Sequence, residues 1–289
     1  MSRIAYVNGR YIPQAGASVN IEDRGYQFAD GVYEVLYMSG GRFLDEDRHM
    51  ARLARSLNEI AITPPMGHAA LRHVLREVAR RNRLRDGLLY MQVTRGVARR
   101  DHAFPKRPVP PALVITVRRT PAYPTDPAAW TATAITHPDE RWARCDIKST
   151  ALLANVLAKQ AARAAGAYEA ILVDAGGMVT EGSSTTVWMV DAAGTARTRH
   201  LDHAILPGCT RGALVAMMAE AGLAVEERGF SVGELRDAVE IFLSSATSFV
   251  KPIVALDGVP VGDGTPGPVT RRLFDIFAQH AHATNAATH

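Results

Sequence analysis

Of the 33 basic residues in this sequence, only Lys106, Lys148, Lys159 and Lys251 are lysine. Where arginine is used so consistently, a lysine marks a place that a guanidinium would not serve. A primary amine can lose its proton and condense with an aldehyde, whereas arginine stays charged. Lys148 lies in "RCDIKSTALLANVLAKQ", residues 144–160, between an extended polar approach and a run with helical spacing. One hairpin later comes "TEGSSTTV", residues 180–187, a carboxylate beside a glycine and a cluster of hydroxyls.

An amine that forms an imine needs a carbonyl partner, and pyridoxal 5′-phosphate is the commonest cofactor that offers one. Its pyridine nitrogen needs a carboxylate to stay protonated, so that the ring accepts electrons when a substrate loses its α-proton. Glu181 can supply that carboxylate. Its phosphate calls for a fixed cation and backbone N–H groups at a helix start; Arg52, Gly208-Cys209-Thr210 and "SSATS", residues 244–248, are candidates. Each residue also has an ordinary reading. Lys148 fits a surface lysine, Glu181 a polar strand end, and Ser183 to Thr186 an exposed strand. Arg52 falls off the apolar stripe of Met50, Leu53 and Leu57, so it fits a solvated helix face. Only in combination do they point to a site. No "GxGxxG" opens a βαβ unit, and no P-loop, "GxSxG" or "HExxH" is present, which removes the usual support for dinucleotide, nucleoside-triphosphate, serine-hydrolase and zinc-peptidase readings.

These residues need a scaffold. At 289 residues the chain is long enough for two ordinary domains. The N-terminal part reads as strands turning at Asn8-Gly9 and Ser39-Gly40-Gly41, then a helix with Met50, Leu53, Leu57 and Ile60 on one face, a second helix over 69–84, and two more strands. A stretch with three prolines, 120–130, reads as a linker, with domains at 1–120 and 130–289 and the join at 121–129. The second part begins with a strand and the lysine segment, whose helix stops at Gly166. A strand then turns through Gly176-Gly177 into another hairpin, and a helix over 210–220, two strands and a final helix near 271–280 complete it. The many hairpins predict a mixed α/β fold rather than a doubly wound parallel sheet.

Composition closes off other classes. A hydrophobic share of 47% with 21% charged residues describes a globular protein. The N-terminus lacks the apolar stretch of a signal peptide and no run is long enough to span a membrane, so a cytoplasmic location is expected, with no membrane partner. Cys145 and Cys209 read as reduced thiols, and no Cys/His spacing resembles a zinc site, so no metal is expected. The net charge of +4 comes from arginines interleaved with acids, as in "IEDRGYQ", and only "RRNRLR" is dense. A nucleic-acid partner is not expected.

Four stretches are familiar together: "IEDRGYQFADGVYEV", "QVTRGVARRDHAFP", "RWARCDIKSTALLANVLAKQ" and "YEAILVDAGGMVTEGSSTTV". Through them the whole chain resembles the D-amino acid aminotransferases of pyridoxal-phosphate fold type IV, within the class IV aminotransferases. The resemblance implies a small N-terminal α/β domain and a larger C-terminal, β-barrel-like domain with helices. It implies that Lys148 forms the internal aldimine and shuttles the proton between the substrate α-carbon and the cofactor. Glu181 matches the partner of the pyridine nitrogen, Arg52 the phosphate arginine, and Thr210 a phosphate threonine preceded by Cys209. Leu206 matches the apolar residue under the ring, and Ser183 and Ser184 match serines that contact the cofactor and support its partners. Tyr33, Arg100 and His102 match the group that traps the substrate α-carboxylate, the last two reaching in from the other subunit of a homodimer. The implied reaction transfers an amino group from a D-amino acid, D-alanine foremost, to 2-oxoglutarate or pyruvate. Branched-chain and (R)-amine aminotransferases and aminodeoxychorismate lyase are the alternatives within the fold. Two departures stand out: Ala246, before Thr247, occupies the place of a phosphate-binding threonine, and Asp101 puts an acid inside the cationic trap.

Overall fold

The structure, a computed structural model, describes residues 3–286. It divides into two compact units. The body of the first is Met1–Ala122 together with Ile147–Ala151, and the second runs over Tyr123–Asp146 and Leu152–Ala283. The lysine segment is therefore drawn into the first unit, although in sequence it follows the first strand of the second.

The first unit is built on six strands: β1 (Ile4–Val7), β2 (Arg10–Pro13), β3 (Gly31–Ser39), β4 (Arg42–Phe43), β5 (Gly87–Thr94) and β6 (Ala112–Arg119). They form an antiparallel sheet in the order β2-β1-β6-β5-β3-β4. A short helix, α1 (Arg24–Phe28), precedes β3, while α2 (Glu46–Glu59) and α3 (His68–Arg81) follow β4. Helix α2 starts with Glu46 and Asp47 in its first turn, where acids suit the helix dipole. It buries Met50, Leu53 and Leu57 against Leu36, Leu75 and Leu89 of the core.

The second unit carries nine strands: β7 (Ala132–Pro138), β8 (Glu169–Val173), β9 (Val179–Gly182), β10 (Thr186–Val190), β11 (Ala196–Thr198), β12 (Val225–Glu227), β13 (Glu240–Ser245), β14 (Phe249–Leu256) and β15 (Val259–Pro260). Their order is β12-β11-β10-β13-β14-β7-β8-β9, with β15 on β14, and the sheet curls into a half-barrel. Parallel pairs join β14 to β7 and β7 to β8, and antiparallel pairs join β10, β13 and β14, so the mixed α/β class expected from the hairpins holds. Helix α4 (Leu153–Ala164) crosses between β7 and β8, followed along the chain by α5 (Cys209–Glu220), α6 (Val232–Arg236) and α7 (Pro268–Ala286). Tyr123, inside the proline-rich stretch, packs its ring against Phe249 and Phe274 at 4.7 and 4.9 Å. Among the described residues no helix is long and apolar enough to cross a membrane.

Candidate active site

In the first unit the segment Ile147–Ala151 lies along β3. Tyr33 N donates to Lys148 O at 3.0 Å and Thr150 N to Gly31 O at 3.0 Å, while Lys148 N donates to Ser56 Oγ on α2 at 3.3 Å. With β3 also paired to β5, Gly31 has no room for a side chain: a Cβ there would stand 2.8 Å from Val93 O. Lys148 is thus held by its own backbone, and its Nζ rests 4.2 Å from the Tyr33 ring centroid. Tyr33 stacks in turn on Tyr90 at 5.7 Å. The ring face holds the ammonium by a cation–π attraction and leaves the amine on a rigid support.

Arg52 is not on a solvated face. It is buried on the inner side of α2, where its Nε and Nη2 donate to the two carboxylate oxygens of Glu34 at 2.8 Å each, and His49 Nδ1 lies 2.7 Å from Glu34 Oε2. The apolar stripe misses this because β3 brings an acid to meet the helix. Burial alone would raise the Glu34 carboxyl, but the Arg52 charge and the hydrogen bonds from Arg52 and His49 outweigh it and bring it to about 2. The fork fixes the plane of the guanidinium. Arg100 and His102 lie on the exposed loop between β5 and β6 and gather on one aromatic side chain, with the Arg100 Cζ 5.1 Å and the His102 ring 5.4 Å from the Phe28 ring. Asp101 Oδ1 accepts from Ala103 N at 3.2 Å, so this acid is partly turned back on its own loop.

In the second unit Glu181 sits buried on β9. Its Oε2 accepts from Leu206 N at 3.2 Å and its Oε1 pairs with Arg141 Nη1. Arg141 is itself held on every side, by Asp139 through Nε at 2.8 Å and Nη2 at 2.7 Å, by Thr180 Oγ1 at 3.3 Å and by Ala204 O at 2.9 Å. Burial alone would raise the Asp139 carboxyl, but the hydrogen bonds from Arg141 and Thr180 and the Arg141 charge hold it below the usual range. A carboxylate oriented by an arginine of fixed position is suited to pair with a protonated ring nitrogen. Within "DERWARCDIK" only Asp139 is a partner of Arg141; Thr180, Glu181 and Ala204, which give it a role, come from other segments.

Ser183, Ser184 and Thr185 turn their hydroxyls to Glu169, a fully buried carboxylate at the start of β8. Ser183 Oγ makes the closest bond, while Ser184 Oγ and Thr185 Oγ1 each lie at 3.1 Å. Gly182 must be glycine here, since a Cβ would collide with the Thr185 hydroxyl. Lys159 Nζ supplies the positive charge, 3.2 Å from Glu169 Oε1 and 2.5 Å from Tyr168 O. From the sequence Lys159→Ala is expected to be almost silent for turnover; the structure gives Lys159 a structural task, because its partner Glu169 is fully buried. Lys159→Ala is expected to destabilise the protein by about 1–3 kcal/mol, the cost of stripping a partner from a buried charged group. An unchanged urea midpoint would show that the three hydroxyls satisfy Glu169 unaided.

Cys209 and Thr210 are buried in the first turn of α5, whose N-cap Gly208 provides no side-chain cap. The opening N–H groups of such a helix suit an anion. Ala246 and Thr247 lie in the turn between β13 and β14, where Ser245 Oγ accepts from Thr247 N at 3.2 Å and contacts Thr247 Oγ1 at 3.1 Å. Taken unit by unit, the groups are of the types pyridoxal 5′-phosphate calls for: the first unit carries an amine on Lys148, and the second carries the buried carboxylate of Glu181 and, at α5, a helix start without a side-chain cap.

The chain belongs to the class IV aminotransferases: the family described as "Amino-transferase class IV" matches residues 31–256, most of its length. It is therefore a pyridoxal-phosphate-dependent aminotransferase. It is 41% identical over 266 residues to the D-alanine aminotransferase of Bacillus licheniformis, covering 92% of this chain and 93% of that one. It is 40% identical over 275 residues to the D-alanine aminotransferase of Listeria monocytogenes, covering 94% of each. Among solved structures, the branched-chain amino acid aminotransferase from Escherichia coli superposes with a TM-score of 0.86, at 23% identity, over 96% of this chain and 94% of the other.

Proposed function

We propose that this aminotransferase moves the amino group of a D-amino acid, D-alanine foremost, to a 2-oxo acid such as 2-oxoglutarate or pyruvate. The observation that carries the reading is the pairing of Arg100 and His102 on the Phe28 ring, two cationic or donor side chains set side by side and exposed. Such a pair suits an α-carboxylate, which an amine substrate lacks. Kinship with the D-alanine aminotransferases supports it.

Bound pyridoxal 5′-phosphate supplies an aldehyde and an electron-accepting ring. Lys148 would provide the amine that holds the aldehyde, and its Nζ would carry the proton taken from the substrate α-carbon. Glu181, oriented by Arg141, would keep a proton on the ring nitrogen. Arg52, Thr210 and the first N–H groups of α5 would hold the phosphate, together with Thr247 and the backbone of Ala246, and Leu206 would offer an apolar contact to the ring. Ser183 and Ser184, tied to Glu169, steady the strand end that carries Glu181. Tyr33 guides the substrate carboxylate from the side of Lys148.

We further propose a homodimer in which Arg100 and His102 serve the other copy. Tyr33 groups with Lys148, whereas Arg100 and His102 group with Phe28. Exposed apolar residues flank that loop, Ile21, Tyr26, Val97 and Phe104, and Leu153, Val156 and Leu157 form a second exposed apolar stripe on α4. Surfaces of this kind mark protein contacts. A monomeric mass by analytical ultracentrifugation at the concentration of the assay, with full activity, would overturn shared sites. We place the enzyme in the cytoplasm, a compartment that keeps the free Cys145 and Cys209 reduced.

Absorption of the holoenzyme with D-alanine and, separately, L-alanine tests the stereochemistry: the visible band is expected to fade with the D-enantiomer alone. Arg100→Ala tests the carboxylate. Losing the charge-assisted contact is expected to cost about 1.5–3 kcal/mol, or roughly tenfold to a hundredfold in kcat/KM for D-alanine. Activity with (R)-1-phenylethylamine should fall far less. Equal losses with acid and amine would make the arginine structural and turn the reading toward an amine or lyase activity.

A further inference from the structure

The connection from β5 to β6 is long, and a connection of that length without strand or helix ordinarily samples several conformations. Here it is fastened from inside. Arg24, buried on α1, donates from Nη1 to Asp101 O at 2.5 Å and from Nη2 to His102 O at 3.4 Å. Its Nε donates to Asp30 Oδ2 at 2.7 Å. Asp30 also receives Arg95, through Nε at 2.7 Å and Nη2 at 2.9 Å, and Arg95 donates onward to Ala61 O at 3.0 Å and Ile60 O at 2.7 Å. The Arg95 Cζ lies 3.6 Å from the Phe104 ring, which pins the loop a second time. The Arg24 Cζ lies 4.9 Å from the same Phe28 ring that receives Arg100 and His102. One half-buried carboxylate thus orients two buried guanidiniums, and one of these grips two consecutive backbone carbonyls of the loop.

We propose that Arg24, set by Asp30, is a positioning residue for substrate specificity: it fixes the backbone at Asp101 and His102 and so sets where Arg100 and His102 present their charge to the amino-acid carboxylate. This rests on the carboxylate reading above. Lysine in place of Arg24 keeps a charge for Asp30 but loses the planar fork that reaches both carbonyls. The loop is then freed without leaving Asp30 and Arg95 unbalanced. A small displacement of a substrate-positioning group has a large kinetic effect.

The test compares holoenzymes carrying Arg24→Lys, Arg100→Ala and both. For Arg24→Lys the ratio of kcat/KM for D-alanine to that for (R)-1-phenylethylamine is expected to fall about tenfold, mainly through KM for the acid. In the double variant the two losses should fall well short of multiplying, because both act on the same carboxylate contact and only the His102 part is left for Arg24→Lys to disturb. Trypsin should also cut faster after the exposed Arg99, Arg100 and Lys106 in Arg24→Lys than in the parent. An unchanged ratio, or losses that multiply in the double variant, would overturn the proposal. If Arg100→Ala itself left the ratio unchanged, the carboxylate reading would fail, and the clamp would stand or fall on the trypsin rate alone: faster cleavage supports it and an unchanged rate refutes it.

Discussion

Lys148→Ala is expected to bind cofactor, fold normally and turn over D-alanine slower by roughly four orders of magnitude or more, since one substitution removes both the amine and the proton carrier. Folding should be spared for a structural reason. Lys148 is half-buried and its backbone bonds to Tyr33 and Ser56 do not involve the side chain, so no core cavity opens and the urea midpoint should stay within about 0.5 kcal/mol of the parent. The side chain's contact is the face of Tyr33. Lys148→Arg retains that contact and the charge, yet should be as inactive, because a guanidinium neither condenses with an aldehyde nor gives up a proton at neutral pH. Single-turnover transamination by either variant at a rate near the parent's would remove Lys148 from the chemistry.

Glu181→Gln is expected to keep its shape and slow removal of the substrate α-proton by about a hundredfold or more, as the ring nitrogen loses the negative charge that keeps it protonated. The strand should survive the change. Arg141 keeps two bonds to Asp139 and others to Thr180 and Ala204, so its buried guanidinium is not stranded. The substituted amide can still accept from Leu206 N, the donor that now reaches Glu181 at 3.2 Å. Stopped-flow half-reactions with D-alanine separate this effect from binding. Unchanged rates would pass the electron-accepting role to another group.

The elements of the fold were legible because each rests on local chemistry. Turns at Asn8-Gly9 and Gly40-Gly41 carry positive φ values that these residues adopt readily, and the stripe of Met50, Leu53 and Leu57 is buried on α2 as its spacing requires. Lys148 and Glu181 stand out as candidates for a different reason: amine and carboxylate chemistry is a property of the side chain itself. Their supports do not. Arg24 and Arg95 look like members of a scattered surface charge, and Arg52 like a solvated face, until Asp30 and Glu34 meet them from other segments. Lys159 looks dispensable until Glu169, ten residues on, proves to be buried.

The sequence by itself determined which groups can do chemistry and the alternation of strands and helices, since both follow from residue type and near-neighbour spacing. Only the tertiary structure decided which charges are buried and who neutralises them. It drew Ile147–Ala151 beside β3, turned the hydroxyls of Ser183 and Ser184 to Glu169, and fastened the Arg100–His102 loop through Arg24. A buried charge must find its partner wherever the fold brings one, and the distance along the chain to that partner is not written in the local pattern.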